Sequence, residues 1–376
     1  AYFAEYLHDR NPDFLKRSQL EAIKEIGAEL ENIRAAWQWA VEHMKLPEIK
    51  KMARPLGIFC NLQSRYAEGL KAFQGVAFQL ASQPETEHTG RTLADVLMVQ
   101  THLLLRFGRL DEIETKMIQS QAIYRRLNLE PGPGYVTDPE ILLGFAALVR
   151  GNYPKAIHHS QQARVDAERR KHPINREFAY YLLAQAALAQ GHYQAAQDFA
   201  QEAYIIGQAV EDRWFMAYIL NTLGDISFAQ KAYSVAREHY QAAFSIRQEF
   251  NDPEGMAVAL NHLAEVARRQ ENYAQAKNLF RKSLRLYQDI NDKGGLATSN
   301  NGLGYTALAQ NDFPAARHHF YQALQPAAEI WFLPAILTVL VGIAEFLCLT
   351  GQLQKGIGLL VLVQHHSAAN QETRDQ

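Results

Sequence analysis

The chain has 376 residues, 48% hydrophobic and 21% charged, with a formal net charge of -2. This is the composition of an ordinary folded protein, and the near-neutral balance excludes the basic field that binds nucleic acid or an anionic membrane surface. Its cysteines, Cys60 and Cys348, are too few and too far apart for a disulfide framework, and read as buried reduced thiols of a cytoplasmic protein.

The chain opens at Ala1 with neither a methionine nor a signal-peptide pattern, so a piece of a longer protein is expected. Residues 1–50 have a helical pattern and are expected to form a head that leads from an upstream domain. Within it Trp37 and Trp39 are the natural anchors for packing against the first helical pair. Residues 51–376 read as a repeat array, out of phase with the head. Leu56-Gly57, Tyr66 and Gly69 form a weak first copy of its pattern, and Gly108-Arg109-Leu110 with Ile113 a second. The run from Leu129 through Pro131, Gly132, Pro133 and Gly134 to Tyr135 predicts an irregular loop or hinge.

From about residue 137 the pattern becomes strict. Tyr153, Tyr193, Tyr233, Tyr273, Phe313 and Leu353 recur at intervals of 40 residues. Each is followed three positions later by a small residue: Ala156, Ala196, Ala236, Ala276, Ala316 and Gly356. A fixed period without slippage predicts stacked copies of one unit, and with the weak copies gives about eight helical hairpins of about 40 residues. In the unit around residue 270, Asp252 and Pro253 suit an N-cap and first helical position. Helix A is then expected over 256–270 and helix B over 273–290. Gly151, Gly191 and Gly351 at the A–B turn suit a left-handed residue. Gly144, Ala184, Gly224, Ala264, Gly304 and Ala344 are expected to face the small residue of helix B, flanked by large residues such as Tyr240, Phe280 and Phe320. The apolar stretch 331–350 contains Pro334 and Glu345 and falls in phase, so it reads as a buried helix rather than a membrane span.

The succession Leu223-Gly224, Tyr233, Ala236, Tyr240, Ala243 resembles the tetratricopeptide repeat, and Leu303-Gly304, Phe313, Ala316, Phe320, Ala323 nearly as well. The resemblance implies an all-α, right-handed α-α superhelix whose A helices line a concave groove. The head, Glu31-Asn32-Ile33-Arg34-Ala35-Ala36-Trp37-Gln38-Trp39-Ala40, resembles the sensor region of bacterial STAND-class ATPases and maltose-activator-like regulators. So does the tail, from Ile343-Ala344-Glu345-Phe346 to Thr373-Arg374-Asp375, which reads as cut short at Gln376. That implies a signalling module partnered by the nucleotide-binding domain of its parent protein. This chain has no G-x-x-x-x-G-K-[ST] loop of its own.

Asn221, Asn261 and Asn301 lie 40 residues apart on helix A. As a ladder of amides they suit the backbone of an extended peptide, though the spacing equally suits asparagines that only bond between neighbouring helices. Tyr218, Asp225, His262, Glu265, Arg268 and Tyr305 share the predicted groove, with Phe145, Tyr181 and Gln185 upstream. A protein, peptide or small inducer is the expected ligand; a scaffold that docks sister domains without sensing is the alternative. His158-His159 and His318-His319 repeat by descent, and no H-E-x-x-H, C-x-x-C or G-x-S-x-G occurs. No metal, cofactor, direct nucleic-acid contact, membrane contact or enzymatic activity is therefore expected.

Overall fold

The computed structural model describes residues 1–11, 14, 18–105, 109–130, 138–331 and 333–366. Gly108 of the weak second copy, the Pro131–Tyr135 part of the expected hinge and the tail residues Thr373, Arg374 and Asp375 lie outside these. Among the described residues all regular structure is helical. The order is α1 (Tyr2–Arg10), α2 (Gln19–Ala28), α3 (Leu30–Glu42), α4 (Leu46–Leu62), α5 (Tyr66–Ala81), α6 (Glu87–Leu104) and α7 (Leu110–Arg126). Then follow α8 (Pro139–Val149), α9 (Tyr153–Arg170), α10 (Pro173–Ala189), α11 (Tyr193–Val210), α12 (Arg213–Ala229) and α13 (Tyr233–Glu249). The chain closes with α14 (Pro253–Arg269), α15 (Tyr273–Asp289), α16 (Lys293–Ala309), α17 (Phe313–Glu329), α18 (Leu333–Leu349) and α19 (Leu353–His365). From α4 onward even-numbered helices are A and odd-numbered ones B. No described helix is long and apolar enough to cross a membrane.

The turns explain the strict period. A positive φ recurs every 20 residues, at Gly151, Lys171, Gly191, Glu211, Lys231, Asn251, Glu271, Asn291, Asn311, Trp331 and Gly351. In these turns a left-handed residue lets the next described amide reach back, as when Asn272 N donates to Ala267 O at 2.9 Å and Glu271 N to Arg268 O at 2.9 Å. This is the Schellman closure, and α10 and α12–α18 all stop at 17 residues. Glycine supplies it in three A–B turns only; at the others a lysine, glutamate, asparagine or, at 331, a tryptophan adopts the strained conformation. Aspartates then restart the A helices: Asp252 Oδ1 accepts from Gly255 N at 2.9 Å and Asp292 Oδ1 from Gly295 N at 3.0 Å. Helix A of the type unit thus begins at Pro253, three residues earlier than expected.

The chain divides into two compact units. The first comprises Ala1–Ala146, His158–Tyr180 and Ala203–Met216. Here α1 packs on α4, and Trp37 lies buried edge-on to Phe73 at 5.0 Å with its indole N–H donating to Ala72 O. Trp39 is no such anchor: it is 46% exposed and stacks on His43. Ile113 is fully buried at the place of the usual small residue. Cys60 is buried, and burial pushes its thiol pKa up to about 12, so it stays protonated. In the second unit, Ala147–Ile157, Tyr181–Glu202 and Ala217–Gln376, α14 packs on α15, α16 on α14 and α15, and α18 on α16 and α17. Cys348 here is a free thiol that is only partly buried, unlike the expectation.

The hairpins interlock small against large rather than small against small. A Cβ on Gly224 would sit 2.4 Å from the Tyr240 ring, and one on Gly304 2.7 Å from Phe320. The aromatic of helix B therefore lies directly on the small residue of helix A, which is how a bulky ring is buried while the axes stay close.

Candidate functional site

The A helices of the second unit carry the candidate site. On each of them a set of partly exposed residues falls at helical spacing into one stripe: Tyr218, Asp225 and Phe228 on α12; Val258, His262, Glu265 and Arg268 on α14; Asn301 and Tyr305 on α16. Asn221 and Asn261 lie on the same stripes at 6% and 5% exposure. Tyr181 and Gln185 extend the row on α10. Phe145 stands on α8 in the first unit and is partly exposed.

Side-chain bonds tie neighbouring stripes together. Gln185 Nε2 donates to Thr222 Oγ1 at 2.7 Å, and the Tyr181 and Tyr218 rings meet edge-on at 6.2 Å. Asp225 Oδ1 takes the Tyr240 hydroxyl at 2.8 Å and His262 Nδ1 at 2.7 Å, joining α12 to α14. Glu265 pairs with Arg268 through Nε at 2.9 Å and through Nη2, and also with Arg269 at 3.2 Å. Burial pushes the Glu265 carboxyl up, but the two arginines outweigh it and hold its pKa below the usual value. The Arg268 guanidinium lies 5.3 Å from the centre of the Tyr305 ring on α16. Burial and Glu345 push the Tyr305 phenol well above its ordinary range, so it presents a protonated hydroxyl.

Tyr218 is braced from behind. The fully buried Arg247 guanidinium lies 3.9 Å from the Tyr218 ring centre and pairs with Asp252 at 2.9 Å. Gly255 makes room for it, since a Cβ there would lie 2.3 Å from Arg247 Cδ. The same aspartate thus caps α14 and anchors the arginine beneath the aromatic of α12.

The three asparagines differ in what they already hold. Asn261 Oδ1 accepts from Ser299 Oγ of α16 at 3.0 Å, while its buried Nδ2 has no partner. Asn221 Oδ1 and Asn301 Oδ1 are buried and accept nothing from the protein. A buried amide atom left unmatched costs about 1–3 kcal/mol. The interhelical bond that the spacing left open is therefore made at one rung of three. Sequence reasoning missed Ser299, because Ile219 and Ala259 hold its place in earlier copies and the period carries no sign of a hydroxyl. It also missed Arg247, which no repeat position announces. The outcome is a face of amides, aromatic rings and carboxylate-fixed cations, a set suited to recognition. Among the described residues no group of three or more histidine, cysteine, aspartate or glutamate side chains could hold a metal ion.

Residues 215–289 and 255–325 match the tetratricopeptide repeat family. None of the curated proteins matches the sequence. Solved structures share the fold at low identity. A Rap protein complexed with Competence and Sporulation Factor has a TM-score of 0.68 at 10% identity, covering 96% of this chain and 95% of that one. NprR in complex with its cognate peptide NprX has a TM-score of 0.59 at 12% identity, covering 81% and 88%. The Rap conjugation gene regulator of plasmid pLS20 in complex with the Phr* peptide has a TM-score of 0.55 at 11% identity, covering 81% and 95%. The chain is an all-α solenoid of the tetratricopeptide-repeat type, with the repeats themselves recognised over residues 215–325.

Proposed function

We propose that the chain is a binding module that takes an extended peptide, or an extended segment of a protein, along the α10–α12–α14–α16 face. The observation that carries this reading is the set of buried, unmatched amide atoms at Asn221, Asn261 and Asn301 on adjoining stripes. Two of the similar structures, those of NprR and of the pLS20 regulator, hold peptides. Each amide bond contributes about 0.5–1.5 kcal/mol net, so the ladder supplies register while Tyr181, Tyr218, Tyr305 and Arg268 supply most of the affinity. No reaction and no cofactor are proposed for the chain, and a small inducer would use the same face. The head and tail resemblances support a sensor that biases a nucleotide-binding domain of the parent protein, provided the ligand favours one curvature of the array.

The test is selection of peptides on the whole chain by display, followed by calorimetry of a selected peptide against the wild type and Asn221→Ala/Asn301→Ala. A loss of about 5- to 150-fold is expected from two amide contacts. Equal affinity would remove the asparagine ladder from the site. The scaffold reading is favoured instead if no peptide is enriched while the chain still captures its parent's nucleotide-binding domain. The Asn261–Ser299 bond is the observation on its side, since it shows that a ladder residue can serve packing alone.

A further inference from the structure

A groove between α17 and α18 has the make-up of a small-ligand site. Its volume is about 640 Å³. Phe320, Tyr321 and Leu324 of α17 and Ile343 and Phe346 of α18 form its wall. Arg317 and His318 are the basic groups on it, and no carboxylate lines it. A concavity of this size, mostly apolar with a few polar groups at one place, is the usual form of a site for a small molecule. Two residues particular to this copy build the wall. Tyr321 stands where the four preceding copies have Gln161, Gln201, Gln241 and Arg281, and Phe346 stands where Ile226, Val266 and Thr306 do. Tyr321 is 64% exposed, so packing between the hairpins does not account for its ring.

The basic side continues beyond the groove. His318 meets His319 edge-on at 5.4 Å. Burial first, and then His318, Arg281 and Lys277, hold the His319 pKa below its ordinary value, so both α15 cations lie within electrostatic reach of this pair. Asp312 is the carboxylate that acts on His319 in the opposite sense. Arg317, Arg281 and Lys277 form no ion pair among the described residues. The groove therefore joins an apolar wall to cations whose charge the protein itself does not neutralise.

We propose that this groove binds a small amphipathic acid, with an aliphatic or aromatic body lying on Phe320, Leu324, Ile343 and Phe346 and one carboxylate or phosphate facing Arg317 and His318. The body removes apolar wall from water, and the oxyanion meets a guanidinium suited to paired hydrogen bonds. A cationic amphiphile of the same shape would set its charge against Arg317, Arg281 and Lys277, so the groove should discriminate ligands by sign. The inference is independent of the peptide reading, because none of these residues is on the α10–α16 stripes.

The experiment is calorimetric titration of the whole chain at neutral pH with three probes, each below any micelle-forming concentration. Dodecanoate carries both body and charge, dodecyltrimethylammonium the same body with the opposite charge, and acetate the charge without the body. The wild type is compared with Arg317→Glu/His318→Glu and with the milder Arg317→Gln. Both positions are exposed, and circular dichroism checks that each variant keeps its helices. The wild type should bind dodecanoate at one site, at least about tenfold more tightly than the ammonium probe or acetate, as a charge-assisted contact requires. Arg317→Gln should weaken dodecanoate, and the glutamate pair should reverse the preference between the two long-chain probes. A wild type with no saturable dodecanoate binding overturns the proposal. So does equal affinity for the two long-chain probes, or dodecanoate binding that is unchanged in both variants, which would place the acid elsewhere.

Discussion

The amide of Gln19 donates to the carboxylate of Asp212 at 2.8 Å across 193 residues of chain, while its carbonyl accepts from Trp214 N at 3.0 Å. A residue of the head thus completes the N-cap of α12, satisfying a first-turn amide that helix geometry leaves without an intrahelical partner. Gln19 also donates to Phe14 O at 2.7 Å and is 2% exposed, so every part of its amide is engaged within the first unit. Gln19→Ala should cost about 2–3 kcal/mol, because it leaves buried partners unmatched as well as losing the bonds. Urea unfolding reads this directly, and an unchanged midpoint would show that the head is held by other contacts.

Close to this clasp, Glu177 is fully buried and neither of its oxygens receives a hydrogen bond. Burial first, and Asp212 second, raise its pKa well above 4.5. A carboxyl with a raised folded pKa costs nothing below its unfolded value, where both states are protonated. Its cost grows by about 1.4 kcal/mol per pH unit above that until the folded pKa is passed. Stability of the wild type should therefore fall relative to Glu177→Gln as the pH rises from about 4.5 through neutrality. Thermal midpoints of the two proteins at a series of pH values decide it; parallel curves would mean that Glu177 is solvated or paired.

The three asparagines should separate by stability alone. Asn261→Ala removes the acceptor of Ser299 and should destabilise by about 0.5–1.5 kcal/mol. Asn221→Ala and Asn301→Ala delete amides whose buried oxygens accept nothing from the protein, so they should be neutral or slightly stabilising. Chemical denaturation of the three single variants tests the contrast, and equal losses at all three positions would contradict it.

Gly304→Leu should overpack the α16–α17 hairpin by roughly 1–3 kcal/mol, since even a Cβ meets the Phe320 ring at 2.7 Å. Gly304→Leu combined with Phe320→Ala should recover part of the loss, because the obstructing ring is gone. A thermal midpoint unaffected by the single change would refute the small-under-large packing.

The 40-residue register made the helix pairs, their A and B roles and the asparagine row legible before any coordinates, because these rest on local physics. Turn glycines, capping aspartates and helical spacing act over a few residues and leave their mark in order along the chain. The same register could not tell that Glu271 and Lys231 would take the left-handed turn that Gly191 takes, since neighbouring helices impose it on them. Nor did it show which asparagine spends its amide on a neighbouring helix, that Arg247 lies under Tyr218, or that Gln19 caps α12. Those contacts join residues whose separation carries no period, and they exist only where packed helices bring the side chains within hydrogen-bond or van der Waals reach. Repetition along the chain therefore determined the building unit, and tertiary packing decided which of its polar groups are spent internally and which stay unmatched.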